Sequence, residues 1–301
     1  MRSKVLVVGS MNYDIILKAG RLPEQGETMP VDGCTFAAGG KGANQAVQAA
    51  KLGVETYMVG CVGNDPMGDF LFNSAEKYGL HTEHIRRSEG PSGLGVVHAL
   101  ENGSVHASIV RGANFEITRE DIDAVETLLD DTGLVILQME IPLEINRYVI
   151  DRAKAHGCKV LLNAAPAEPF EKEYLQKCDI LVVNEVEAAF YAGRTAGNLE
   201  EGCAMAKEMA AEYGNTVVIT MGSEGAVVSD GSRAEAIPSM KVKAVETTGA
   251  GDSFIGGIAY SMINGMDIFE AGRFATKCSA VTVTRAGAQN SMPTLAEVTG
   301  Q

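Results

Sequence analysis

No apolar run in this 301-residue sequence reaches the roughly 20 residues that a membrane-spanning helix requires. The apolar start, Val5 to Val8, is much shorter than a signal-peptide core and is soon followed by Asp14 and Lys18. A folded, soluble protein that stays in the cytoplasm is therefore expected. Basic charge is scarce as well: 25 Lys and Arg stand against 39 Asp and Glu, a net charge of −14. A surface for nucleic acid or anionic membrane needs clustered cations, so neither is expected as a partner, although a local anion pocket stays open. The six cysteines, at positions 34, 61, 158, 178, 203 and 278, include no C-x-x-C pair or other metal-ligand spacing. They read as buried thiols of a reducing compartment. His81 and His84 have no acidic or cysteine partner at matching local spacing and read as a surface pair. Internal repeats, low-complexity tracts and Pro/Ser-rich linkers are absent too, which predicts one main domain over 1–301.

What is present is ordinary globular material, 46% apolar and 21% charged, enough to bury a sizeable core. Short apolar runs recur at Val5–Gly9, Thr56–Val62, Leu134–Met139, Lys159–Asn163, Ile180–Val183 and Val217–Met221. Most alternate with segments of helical period, the order expected of a doubly wound, mostly parallel α/β sheet flanked by helices. Thr118 with Asp121 forms a capping-box pattern, and Gly53, Gly79 and Gly157 stand where helices should stop. Two stretches break the alternation, about 15–38 and 94–110, the second reading as a hairpin around Asn102-Gly103. Together they predict a small β-structured lid inserted into the main domain.

Two glycine clusters carry the chemistry. The first, Gly39 to Ala46 (GGKGANQA), leads into a helix with Ala43, Ala46, Val47 and Ala50 on one face. Its glycines let backbone N–H groups approach a ligand, and Lys41 and Asn44 offer donors and an acceptor suited to hydroxyl groups. Lys41 precedes Gly42 rather than Ser or Thr, so the cluster is no Walker A loop. The second, Glu246 to Phe254 (ETTGAGDSF), leads into a helix starting near Ala250 with Phe254, Ile258, Ala259 and Met262 on its apolar face. A helix start with free N–H groups suits a phosphoryl group in transfer. Asp252 there serves either as a cap worth about 1 kcal/mol or as a general base worth about 10²- to 10⁴-fold in rate.

Those two motifs, in this order and separation, make the chain similar to the ribokinase branch of the PfkB carbohydrate-kinase family. The resemblance spans nearly the whole chain: GSMNYD at Gly9–Asp14, GAN at Gly112–Asn114, QMEIP at Gln138–Pro142, NAAPA at Asn163–Ala167, NEVEA at Asn184–Ala188, ITMGSEG at Ile219–Gly225 and VTRAGAQNSMP at Val283–Pro293.

The resemblance implies that Asp252 removes the proton from the attacking sugar hydroxyl while the neighbouring amides of Ala250 and Gly251, in the catalytic motif that Gly249 opens, meet the transferring phosphate. It places Asn12, Asp14, Gly40, Lys41, Asn44 and Glu140 on the sugar hydroxyls. Asn184 and Glu187 match an N-x-x-E element associated with the nucleotide's magnesium, through water; read alone they are a helix cap and an exposed acid. Thr220, Gly222, Gly225 and, with Gly251, Thr276 fall near the nucleotide. A potassium-binding loop would involve Glu246, Thr248, Thr282, Arg285, Gly287 and Ser291, several through backbone carbonyls. This chain departs from the pattern at Glu246, where Asp is usual, at Ala164, where proline is common, and at Ala286, where a basic residue often stands. The implied activity is ATP-dependent phosphorylation of D-ribose to D-ribose 5-phosphate with Mg²⁺, with K⁺ as a further activator and a homodimer formed through the lid. Deoxyribose, a nucleoside, fructose or 2-keto-3-deoxygluconate is the alternative substrate, because pocket shape decides among them. A non-catalytic sugar sensor is the alternative of another class.

Overall fold

The computed structural model describes residues 2–101 and 105–300. Its strands are β1 Lys4–Val8, β2 Asn12–Ala19, β3 Gly33–Gly39, β4 Thr56–Gly63, β5 Ile85–Ser88, β6 Gly93–Leu100, β7 Val105–Val110, β8 Thr132–Gln138, β9 Lys159–Asn163, β10 Ile180–Asn184, β11 Thr216–Met221, β12 Gly225–Ser229 and β13 Ala234–Pro238. The first helices are α1 Lys41–Lys51, α2 Pro66–Lys77, α3 Arg119–Asp123, α4 Glu126–Leu129 and α5 Leu143–Ala155. The rest are α6 Lys172–Lys177, α7 Glu185–Ala192, α8 Leu199–Tyr213, α9 Ala250–Ile263, α10 Ile268–Thr282 and α11 Leu295–Thr299.

Nine strands form the main sheet in the order β13-β12-β11-β10-β9-β8-β1-β4-β5. Every pair from β11 to β5 is parallel, and β12 and β13 add an antiparallel edge. Burial on both faces explains the near-continuous apolar runs. In β8, Leu134 and Ile136 join one core with Val5, Val7, Phe254 and Ile258. Val135 and Leu137 point the opposite way, into a second core with Ile145, Val149, Met205 and Met209. The capping box at Thr118 is formed, and Gly53, Gly79 and Gly157 take the left-handed conformation that ends a helix.

The predicted insertions form a separate four-stranded sheet, β3-β2-β6-β7. β6 and β7 pair antiparallel as a hairpin would; the turn expected at Asn102-Gly103 lies outside the described residues.

The chain leaves β1 toward β4 on one side and returns through β8 on the other. A crevice opens at such a switch point, outside the carboxyl ends of the strands. Ser10, Glu140, Asn163, Asn184 and Thr220 all lie at or just beyond the carboxyl ends of β1, β8, β9, β10 and β11. On the near face α1 packs tightly on α9: a Cβ on Gly256 would sit 2.4 Å from Gln48 Cγ. That approach brings the start of α1 to the start of α9.

Candidate active site

At the contact of those two helix starts, Asp252 is gripped from both sides. Asn44 Nδ2 donates to its Oδ2 at 2.9 Å, and Gln45 Nε2 donates to its Oδ1 at 2.9 Å. Asp252 is the third residue of α9, whose cap position is Gly249 (φ 77°) with no side-chain cap. The cap reading of Asp252 therefore fails. The Ala250 N–H turns back to the Thr247 carbonyl at 3.2 Å, and the Ser253 N–H opens the helix ladder on Gly249 at 2.8 Å. Among the described residues, the Gly251 and Asp252 N–H groups have no protein acceptor, so the open donors are these two rather than Ala250.

A cavity of about 230 Å³ faces this helix start, lined in part by Lys41, Asn163, Asn184, Glu187, Thr220, Gly249, Gly251 and Asp252. Glu140 sits at the switch point, where Ser10 Oγ donates to its Oε2 (2.5 Å) and the Lys41 N–H reaches the same oxygen (3.2 Å). From the small sheet, Asp14 enters between β3 and β6. A Cβ on Gly39 would lie 1.9 Å from Asp14 Oδ2, and one on Gly95 would lie 2.2 Å from Oδ1. These two glycines are the room in which the carboxylate lies. Asn12 is oriented by Asn114, whose Nδ2 donates to Asn12 Oδ1 at 2.7 Å.

The electrostatics are those of acids crowded around one base. Burial pushes the Asp14 carboxyl up to about 7, with the Glu140 and Asp252 charges adding to the rise. Burial raises Asp252 too, while Lys41, Asn44 and Gln45 work against that rise. Burial opposes the Lys41 charge, yet Asp252, Glu140 and Glu187 outweigh it and hold the ammonium above its ordinary value. A carboxylate whose proton affinity is raised by burial, beside a cation that favours its charged form, is suited to accepting a proton from a hydroxyl.

A sequence model described as the pfkB family of carbohydrate kinases matches residues 2–295. The chain belongs to the pfkB carbohydrate kinase family. It is 37% identical to a ribokinase of Schizosaccharomyces pombe, over 98% of this chain and 96% of that protein. It is also 34% identical to a deoxyribokinase of Salmonella typhi, over 97% and 96%. Arabidopsis thaliana ribokinase, solved with ribose and ATP, superposes with a TM-score of 0.88 at 32% identity, covering 100% of this chain and 98% of that one.

The remaining predicted residues of this pfkB kinase fall into two groups. Asn184 and Glu187 do form a cap: Asn184 Oδ1 accepts from the Val186 and Glu187 N–H groups, and the Asn184 N–H donates to Glu187 Oε2 at 2.7 Å. Glu187 is nevertheless only 7% exposed, and both residues line the cavity, so the reading of an exposed acid fails. Burial raises the Glu187 carboxyl. Gly222 is exposed at a positive φ just past β11. Gly225 is accounted for by the fold alone: its φ is 125°, and a Cβ there would lie 2.1 Å from the Ile237 carbonyl of β13. Thr276 is buried in α10, with its hydroxyl on the Gly272 carbonyl at 2.9 Å.

In the second group, Glu246 Oε2 accepts from the Gly287 N–H at 3.0 Å, joining the Glu246–Thr248 segment to the loop after α10. Thr282 Oγ1 donates to Ser253 Oγ at 2.8 Å, the Arg285 guanidinium turns to Glu297 at 2.7 Å, and Ser291 Oγ donates to the Ala288 carbonyl at 2.7 Å. The side chains of these three are thus engaged elsewhere, and the Thr282 carbonyl itself accepts from the Arg285 N–H at 3.1 Å. Sequence reasoning missed Ser10, Gln45, Asn114 and Asn163 as individual residues. Each lies inside a quoted motif, and the available signal was a polar side chain in a segment otherwise built for burial.

Proposed function

We propose that this chain is an ATP-dependent sugar kinase that transfers the γ-phosphoryl group of ATP to D-ribose, giving D-ribose 5-phosphate and ADP. The observation that carries this reading is Asp252, half-buried and held through both oxygens, at an uncapped helix start whose amides face the same cavity as Lys41 and Glu187. Sugar hydroxyls meet Asn12, Asp14, Lys41, Asn44 and Glu140, with Gly40 giving the backbone its close approach. Asp252 takes the hydroxyl proton as the oxygen attacks. The Gly251 and Asp252 N–H groups, with the helix dipole, stabilise the negative charge of the phosphoryl group in flight. The small sheet acts as the lid, carrying Asp14 onto the sugar.

The donor set also fits the metal of a nucleotide. Glu187 has one oxygen, Oε1, that no described protein donor reaches, and Mg²⁺ favours few carboxylates and several retained waters; it would offset phosphate charge. Thr220 and Gly222 edge the nucleotide side, while Gly225 and Thr276 shape that side through the fold. The Glu246–Gly287 bond joins the segment of Glu246 and Thr248 to the loop of Arg285, Gly287 and Ser291 that follows Thr282, which supports a K⁺ site of mostly backbone oxygens. Phe36, Ile109 and Val110 of the small sheet are 59%, 48% and 52% exposed, which supports a homodimer through the lid. Cys61, Cys158, Cys178 and Cys278 are buried as expected, but Cys34, on the small sheet, is exposed and Cys203 half-buried; all six are free, which fits a reducing cytosol, and no helix among the described residues is long and apolar enough to cross a membrane.

The deoxyribokinase relative at 34% identity supports deoxyribose as the second reading. ADP release is measured with Mg-ATP, in K⁺ and in Na⁺, against ribose, deoxyribose, fructose, ribonucleosides and 2-keto-3-deoxygluconate. Ribose is expected to give the highest kcat/KM. A higher value for deoxyribose reassigns the substrate, and ribose binding without turnover in either salt refutes the kinase reading.

A further inference from the structure

The two amides that hold Asp252 have a property that a carboxylate partner makes critical. A side-chain amide has one donor end and one acceptor end, and half a turn about its last bond would aim a carbonyl oxygen at the carboxylate, turning attraction into repulsion. Asp252, which only accepts when ionised, favours the N–H end of each amide, and the donor that each amide oxygen accepts from secures that choice and fixes where the N–H lies.

For Asn44 the partner is Gln289, whose Nε2 donates to Asn44 Oδ1 at 3.2 Å. For Gln45 it is Gln138, whose Nε2 donates to Gln45 Oε1 at 2.8 Å. All four side chains are buried, so water does not compete for these bonds. Gln289 is itself fixed, since Ser74 Oγ donates to its Oε1 at 3.0 Å and Lys51 Nζ reaches its carbonyl at 3.2 Å. Neither Gln138 nor Gln289 lines the cavity.

The two arms are not equal. Gln45 Nε2 also donates to Asn163 Oδ1 at 3.1 Å, and Asn163 Nδ2 is committed to the Val182 carbonyl at 3.2 Å. The Gln45 amide is therefore oriented twice over. Among the described side chains, Gln289 alone reaches the Asn44 oxygen.

We propose that Gln289 is a positioning residue for the phosphoryl-transfer reaction: it fixes the Asn44 amide so that its N–H faces Asp252, and Gln138 does the same, less critically, for Gln45. Gln289 belongs to the loop that also presses the Gly287 N–H onto Glu246. The conformation of that loop is thereby transmitted to the base through Asn44, which lies 245 positions from Gln289 along the chain. The proposal rests on the reading of Asp252 as the general base.

The test is Gln289→Met, which keeps length and removes the amide, assayed with ribose and Mg-ATP across pH. Loss of an oriented donor to a half-buried carboxylate should lower kcat about tenfold with the KM for Mg-ATP unchanged within about twofold. The acid limb of kcat should move to higher pH, because a carboxylate that loses a donor binds its proton more tightly. Gln138→Met should cost less, about threefold, since Asn163 still orients Gln45. In an Asn44→Ala background, adding Gln289→Met should change kcat by less than about twofold. A Gln289→Met enzyme whose rate and acid limb match wild type overturns the proposal, and so does an equal loss in both backgrounds. Should Gln289→Met not fold, the wild-type protein supplies the readout. The side-chain amide protons of Asn44, assigned by their loss in Asn44→Ala, exchange slowly if Gln289 and Asp252 hold them, and exchange at the rate of a free amide overturns the proposal. Full turnover in Asp252→Asn would instead refute the general-base reading, a distinct outcome.

Discussion

Asp14→Asn should make the sugar-free protein more stable and a poorer enzyme at once. The carboxyl of Asp14 is raised from its ordinary 3.8 to about 7, first by burial and then by the charges of Glu140 and Asp252. As pH rises from about 4 to about 7, the unfolded chain releases this proton while the folded chain keeps it, so the folded state loses stability across that window and the loss levels off above it. At about 1.4 kcal/mol per pH unit of displacement, the cost of the native carboxylate is about 1.6 kcal/mol at pH 5 and about 4 kcal/mol at pH 8. Asparagine has the same shape, fits the space left by Gly39 and Gly95, and carries no charge to titrate. Its gain should grow with pH, reaching about 4 to 8 °C in Tm at pH 8 and less than half of that at pH 5. Differential scanning calorimetry of both proteins at the two pH values measures this directly, while ribose turnover falls because a sugar-facing acceptor is gone. An Asn variant no more stable than wild type at pH 8, or equally stabilised at both pH values, refutes the reasoning.

Three further substitutions probe separate parts of the site. Lys41→Met leaves Asp252, Glu140 and Glu187 without the cation that balances them, so the acid limb of kcat/KM should move to higher pH and turnover at pH 7 should fall at least about 100-fold; a pH–rate profile with an unmoved limb counts against this role. Glu187→Gln keeps the Asn184 side-chain cap but removes the buried charge, so the Mg²⁺ concentration for half-maximal rate should rise about tenfold with kcat recovered at excess metal; an unchanged requirement would return Glu187 to a structural role. Gly95→Ala puts a methyl 2.2 Å from Asp14 Oδ1, so the KM for ribose should rise by about tenfold while the KM for Mg-ATP stays; kinetics with each substrate varied in turn check it.

The main sheet was legible because its strands are short, apolar on both faces and separated by helices with conventional stops. Val5–Gly9 against the observed Lys4–Val8, and Ile180–Val183 against Ile180–Asn184, differ only at the ends. The β12–β13 edge escaped because its strands are brief and the second, AEAIP, has a single large apolar residue, Ile237, and ends in proline. In the site, motif spacing placed Asp252 at a helix start but did not reveal which amides were already spent. Ala250 is turned toward Thr247 and Gly225 is held by its own strand pair, facts set by backbone geometry rather than residue type. Gln45, Gln138 and Gln289 were illegible as a set because their partners lie about 93, 207 and 245 positions apart in the chain. A lone polar residue in an apolar stretch reveals only that some partner exists.

Asp252→Asn, the closest neutral replacement, is the decisive variant, measured for ribose-dependent ADP formation alongside ribose affinity and Tm. A positioned general base predicts a rate at least about 100-fold lower, with ribose affinity held within a few-fold and no loss of Tm. A rate within about threefold of wild type would contradict Asp252 as the base and leave the transfer to positioning by the α9 helix start alone.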